Sequence, residues 1–75
     1  MENKIKELRK GLNLRQEDLA RACEVSRQTI VAIENDKYDP SLELAIKLAY
    51  VLGTTVEDLF VPPWGIGKHA RTPRV

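Results

Sequence analysis

The sequence predicts an all-α fold: a compact domain of five short helices followed by a tail. Three observations lead there. Apolar residues recur at spacings of three and four along most of the chain, and no stretch alternates with period two for long. Cap residues and breakers divide that pattern into five segments. A length of 75 residues is enough for one small domain and a modest core.

The first helix runs from about residue 3, with Ile5, Leu8 and Leu12 at helical spacing. Lys and Arg at 4, 6, 9 and 10 form a solvated face, and Gly11 and Asn13 mark its end. The second helix starts near Arg15 or Gln16. Glu17 and Asp18 place acids in its first turn, where they complement the helix dipole, and Leu19, Ala20 and Cys23 share its buried face. Cys23 reads as a small core residue. After a brief turn at Glu24 and Val25, Ser26 caps a third helix. Pro40 biases Asp39 away from helix, so residues 36–40 form a loop. Ser41 caps a fourth helix that carries Leu42, Ala45, Leu48, Ala49 and Leu52 and ends at Gly53. Thr55, with Asp58 three residues on, opens a last helix from Val56 to Phe60, which Pro62 and Pro63 stop. The organisation expected is a helical domain over residues 1–60 and an extended basic tail over 61–75.

Composition excludes several classes. One cysteine cannot form an internal bridge, which fits a reducing compartment and a cytoplasmic protein. One Cys and one His offer no zinc pattern, so no metal or cofactor is expected. No run is long enough to span a bilayer, and the N-terminus has no signal-peptide core. There is no Gly-rich phosphate loop, and His69 has no partner at a motif spacing, so neither an enzyme nor a small-molecule substrate is expected. The formal net charge is only +1. Residues 1–60 sum to −2 and residues 61–75 to +3, so any basic surface on the domain has to come from segregation in space.

The third helix, SRQTIVAIEND, carries the functional signal. At about 100° per residue, Ile30 and Ile33 fall together with Ser26 and Thr29 beside them. Gln28, Val31, Ala32 and Asn35 fall opposite, with Arg27 on the flank. A merely solvated helix more often shows Lys and Glu on its outer face. This one shows amide and guanidinium groups that bond base edges, and small apolar groups that touch a thymine methyl. Two short helices joined by a tight turn are the layout of a helix-turn-helix, whose second helix enters the major groove. The first helix of the pair lies across the backbone, placing its N-terminal amides and Gln16 toward a phosphate.

The segments KIKELRKGLNLRQEDLA, VSRQTIVAIEND and YDPSLELAIKLAYVLGTTVEDLF resemble the Cro/XRE family of lambda-repressor-like transcription regulators. The resemblance covers about residues 3 to 60. It implies a five-helix lambda-repressor-like domain that binds double-stranded DNA, usually as a homodimer on a palindromic operator and as a repressor. Arg27 and Gln28 then occupy base-reading positions, and Val31 and Ala32 face the groove. Gln16, Ser26, Asn35 and Lys37 occupy positions that meet phosphates. Gln16 and Ser26 also read as helix-start residues alone, and Lys37 as a solvated loop lysine. Arg9 and Glu34 occupy a pair that ties the first helix to the third, although Arg9 has Glu7 as another partner. Asn13, Glu24 and Asp36 stand where the family often has glycine, positions that need a positive φ. Arg15 stands where the family has a Ser or Thr cap, so the capping box with Asp18 is expected to be lost. The rival reading is a protein-interaction module of the same fold, an antitoxin-like or coactivator-like adaptor. Trp64 and Ile66, beyond the last helix, either dock on the parent domain or join Leu59, Phe60 and Val61 in a dimer contact, which is the expectation preferred here.

Overall fold

The computed structural model describes residues 1–62. Trp64, Ile66 and the basic end of the tail lie outside the described residues. The chain forms β1 (Glu2–Asn3), α1 (Ile5–Gly11), α2 (Gln16–Ala22), α3 (Arg27–Glu34), α4 (Leu42–Leu52), α5 (Val56–Leu59) and β2 (Phe60–Val61). The five expected helices are all present.

Each start has a local cause. Ser26 Oγ accepts the Thr29 N–H at 3.1 Å, Ser41 Oγ accepts the Leu44 N–H at 3.2 Å, and Thr55 Oγ1 accepts the Asp58 N–H at 3.1 Å. The capping box of α2 is not wholly lost. Its returning half needs only a carboxylate at Asp18 and a backbone N–H at Arg15, and that bond is present at 2.8 Å. The same bond, more than the nearby guanidinium groups, holds the Asp18 carboxyl below its ordinary value.

Four helix ends share one device. Asn13, Glu24, Asp36 and Gly53 have φ of 59°, 60°, 59° and 72°. In each case the N–H of this left-handed residue and of the next residue return to carbonyls in the last turn. For α2 these bonds are Glu24 to Arg21 at 3.2 Å and Val25 to Ala20 at 3.0 Å; for α3 they are Asp36 to Ile33 at 3.0 Å and Lys37 to Ala32 at 2.8 Å. Leu14 and Val25, the residues after the first two reversals, pack against the core.

That core is built from Ile5, Leu19, Cys23, Ile30, Ile33, Leu48 and Leu59, all essentially inaccessible, with Leu44, Ala45, Ala49, Leu52 and Phe60 around them. Cys23 is a core residue, and burial pushes its thiol up. Two apolar residues depart from expectation. Leu12 is half exposed because it lies beyond the last turn of α1, where the chain reverses at Asn13. Leu42 is 72% exposed because the buried stripe of α4 runs through positions 44, 45, 48, 49 and 52, and Leu44 takes the place given to Leu42. Ser26 is exposed and Thr29 half-buried at the border of the core side of α3.

The two ends of the described chain meet. β1 pairs antiparallel with β2, Glu2 opposite Val61 and Asn3 opposite Phe60, and the Lys4 N–H donates to the Leu59 carbonyl at 2.9 Å. The last helix therefore stops at Leu59, one residue short of the expected end, because Phe60 turns into the strand. Asn3 locks this corner. Its Oδ1 accepts the Ile5 N–H at 3.1 Å, and its Nδ2 donates to the Ile33 carbonyl at 2.8 Å, near the end of α3. The Met1 amino group is held by the Asp36 and Asp39 carboxylates in the loop that follows α3.

Glu24 is the least suited of the four left-handed residues, since an L side chain other than Asn or Asp is strained there. Its exposed pair with Lys47, at 3.2 Å, offsets little of that strain. Glu24→Gly is expected to stabilise the domain by about 0.5–1 kcal/mol, the relief of strain exceeding the added freedom of the unfolded chain. Chemical denaturation measures it, and a lower midpoint for the variant would contradict the assignment of strain.

Candidate nucleic-acid interface

Glu34 sits in the last turn of α3 with a side chain only 3% exposed. An acid there opposes the helix dipole, and a buried carboxylate needs partners. Arg9 supplies them from α1. Its Nε donates to Glu34 Oε2 at 2.7 Å, its Nη2 to Oε1 at 3.4 Å, and its Nη1 to the Leu14 carbonyl at 2.9 Å. The Arg9 side chain is 8% exposed, so the pair is well shielded from water. Glu7, the other candidate partner, is exposed and makes no ion pair with Arg9 among the described residues. Gln16, at the start of α2, donates from Nε2 to Glu34 Oε1 at 3.1 Å. Its Oε1 accepts from Arg27 Nη2, also at 3.1 Å. One polar chain therefore joins α1, α2 and both ends of α3.

With α3 held this way, its sides are fixed. Ile30 and Ile33 enter the core. Arg27, Gln28 and Asn35 are exposed, and Val31 and Ala32 are half-buried on the same outward side, outside the core. Ser26 is occupied as the helix cap, and its hydroxyl also lies 3.0 Å from Thr29 Oγ1. Lys37 is exposed, and its backbone N–H closes the end of α3.

Sequence reasoning missed one feature of this surface. A shallow cleft of about 430 Å³ opens beside α3, lined by Lys6, Arg9, Lys10, Arg15, Gln16, Glu17 and Arg27. Five of those seven residues are basic and one is acidic, so a nearly neutral chain carries a locally basic depression. Lys6 and Lys10 are four apart and share one face of α1, which the spacing alone could have shown. That α2 and the start of α3 come alongside that face depends on the tertiary fold.

Two of the residues grouped for a dimer contact are not at the surface. Leu59 is fully buried and Phe60 is 8% exposed, both packed inside their own domain, so neither offers surface to a second copy. Val61 is 39% exposed, and Trp64 and Ile66 lie outside the described residues. The cause is the β1–β2 pairing, which turns Phe60 inward. No helix among the described residues is long and apolar enough to cross a membrane, and none of their His, Cys, Asp and Glu side chains cluster as metal ligands.

Double removal of Arg9 and Glu34 tests the polar chain at its strongest link. Each single alanine substitution is expected to cost about 3 kcal/mol or more, because it strands a buried charge, and the double substitution much less than the sum. Denaturant unfolding of the four proteins gives the coupling, and additive losses would mean the two charges do not stabilise one another.

Comparison with known proteins agrees with this geometry. A family model described as helix-turn-helix matches residues 5–59. The uncharacterized HTH-type transcriptional regulator MJ0272 of Methanocaldococcus jannaschii is 57% identical over 61 residues, covering 81% of this chain and 92% of that one. An HTH-type transcriptional regulator of Archaeoglobus fulgidus is 48% identical over 61 residues, covering 81% and 86%. Among solved structures, the restriction-modification controller protein C.AhdI of Aeromonas hydrophila superposes with a TM-score of 0.71 at 32% identity, over 76% of this chain and 86% of that one. The clp gene regulator ClgR of Corynebacterium glutamicum gives 0.68 at 26% identity, over 72% and 57%. With an outward polar face on the second helix of the motif and a matching family model over most of its length, the chain belongs to the helix-turn-helix family of DNA-binding transcription regulators of the Cro/C1 type.

Proposed function

We propose that this regulator reads double-stranded DNA with α3 in the major groove and acts as a cytoplasmic repressor, a homodimer on a palindromic operator. The observation that carries the reading is the pairing of an acid-free outward face on α3 with the basic cleft beside it. Gln28 bonds a base edge through both ends of its amide, with adenine the best match. Arg27 reads a neighbouring base after exchanging its bond to Gln16 for one to DNA. Val31 and Ala32 supply apolar contact to the groove floor. Ser26, Asn35, Lys37 and Gln16 meet phosphates, and Lys6, Lys10 and Arg15 of the cleft add to them. The protein acts by occupying its site rather than by catalysis.

Titration of duplex DNA over a range of salt concentration tests the reading. Phosphate contacts release counterions, so the logarithm of the affinity falls linearly with the logarithm of salt. Affinity unaffected by salt would argue against the cleft as a phosphate surface.

Two substitutions separate the roles. Gln28→Ala is expected to cost about 1–3 kcal/mol on the preferred site and to relax preference at one base position, whereas Lys37→Ala weakens all sequences alike and lowers the salt slope by about one. Quantitative binding to single-base variants of the site distinguishes them; an unchanged base preference in Gln28→Ala would remove Gln28 from the reading set. Val31 is checked by replacing thymine with uracil at each position in turn. At least one position is expected to be sensitive with the wild type and insensitive with Val31→Ser, a substitution outside the core; finding no such position would rule out the methyl contact.

A further inference from the structure

The helix α4 carries two apolar stripes. One is buried. The other consists of Leu42, Ile46 and Tyr50, four residues apart, at 72%, 52% and 85% exposure. Three large apolar side chains on one helical face leave on the order of 400 Å² open to water, which is at the size where a patch on a small protein signals a partner. The surface does not stop at the stripe. Ala45 and Ala49 border it, and Ala45 also lines an apolar groove of about 180 Å³ with Pro40, Val56 and Phe60. Among the described residues, nothing packs over this face.

We propose that this face is the seam on which a second copy of the chain docks, with α4 lying antiparallel to its symmetry mate and Ile46 at the two-fold axis. This deepens the proposed function by naming the dimer surface, and it replaces the contact expected around Leu59 and Phe60, which the core already occupies. Three features favour a second copy over another protein. A dyad at Ile46 sets Ile46 against its own mate and Leu42 against Tyr50, so the stripe is complementary to itself. The flank of the stripe carries Glu43 and Lys47, already 3.8 Å apart within one chain. The same dyad brings Glu43 of each copy toward Lys47 of the other; that ammonium also lies 3.2 Å from Glu24 of its own chain, so it would bridge an acid of each copy across the seam. Ala45 and Ala49 on the opposite flank are small and already packed into their own core, so they present no bulk that would hold the helices apart. Two such faces bury on the order of 800 Å² from the three large side chains alone, about half of a standard interface. The stems of Glu43 and Lys47 add to this, and the total is that of a small, reversible interface.

The test uses the full chain without DNA, so its failure leaves the DNA-binding reading standing, and failure of duplex binding leaves the seam standing. Sedimentation of the wild type should show a mass rising from one chain toward two as concentration increases. Ile46→Glu, at a half-exposed position, should keep its helical circular dichroism and dimerise more than about tenfold more weakly. The geometry itself is read by cross-linking. Ile46→Cys should form a disulfide-linked dimer under mild oxidation, since the two positions meet at the axis and the native Cys23 is buried. Leu12→Cys, about equally exposed just past the end of α1, should not. A wild type that stays monomeric would assign the face to a different partner and overturn the proposal. So would an Ile46→Glu variant that associates like the wild type, or equal cross-linking at positions 12 and 46.

Discussion

The buried carboxylate of Glu34 organises this protein. It lies where a helix end disfavours it and where water barely reaches it, so it must be answered by the protein itself. The answers come from two other helices. Arg9 brings α1 and, through the Leu14 carbonyl, the start of the turn into α2; Gln16 brings α2 itself. Because these partners approach α3 from one side, they fix its rotation. Ile30 and Ile33 are committed to the core, and Gln28, Val31, Ala32 and Asn35 are left outward. A hydrophobic core alone tolerates small rotations of a short helix. A buried ion pair with directed hydrogen bonds tolerates them much less.

Around that constraint, the chain reverses direction by the same means each time. Left-handed residues at 13, 24, 36 and 53 stand one or two residues past the helix ends and turn the chain there. The corner formed by β1 and β2 then closes the domain, and Asn3 links that corner to the end of α3. The result brings Lys6, Lys10, Arg15 and Arg27 to one cleft beside the outward face, which is how a chain of net charge +1 acquires a basic surface.

Much of this was legible in the sequence where the cause is local. Ser26, Ser41 and Thr55 cap the helices they precede, because a hydroxyl and an N–H three residues on need nothing else. Gln28 and Val31 fall on the outer face because the phase of Ile30 and Ile33 settles it. The positive φ at Glu24, by contrast, came from a family resemblance, since nothing about a glutamate announces it. Leu42 misled because α4 is apolar on two faces, and periodicity alone does not say which is inside. The β1–β2 pair was illegible: two residues at each end carry no pattern, and their pairing depends on helices in between. Phe60 was therefore placed at a surface that the strand turns it away from. The cleft stayed hidden for a related reason, since Lys6 and Lys10 look like ordinary solvated residues until α2 and α3 are set beside them.

The central claim is that a rigidly held α3 presents a fixed set of groups to DNA. Selection of bound duplexes from a random library by the full chain tests it most directly. The expected result is one sharp motif with two-fold symmetry, its half-sites about one helical turn, or 34 Å, apart. A pool that binds in a salt-dependent way yet yields no preferred sequence would contradict it, because a fixed reading face cannot be indifferent to the bases it meets.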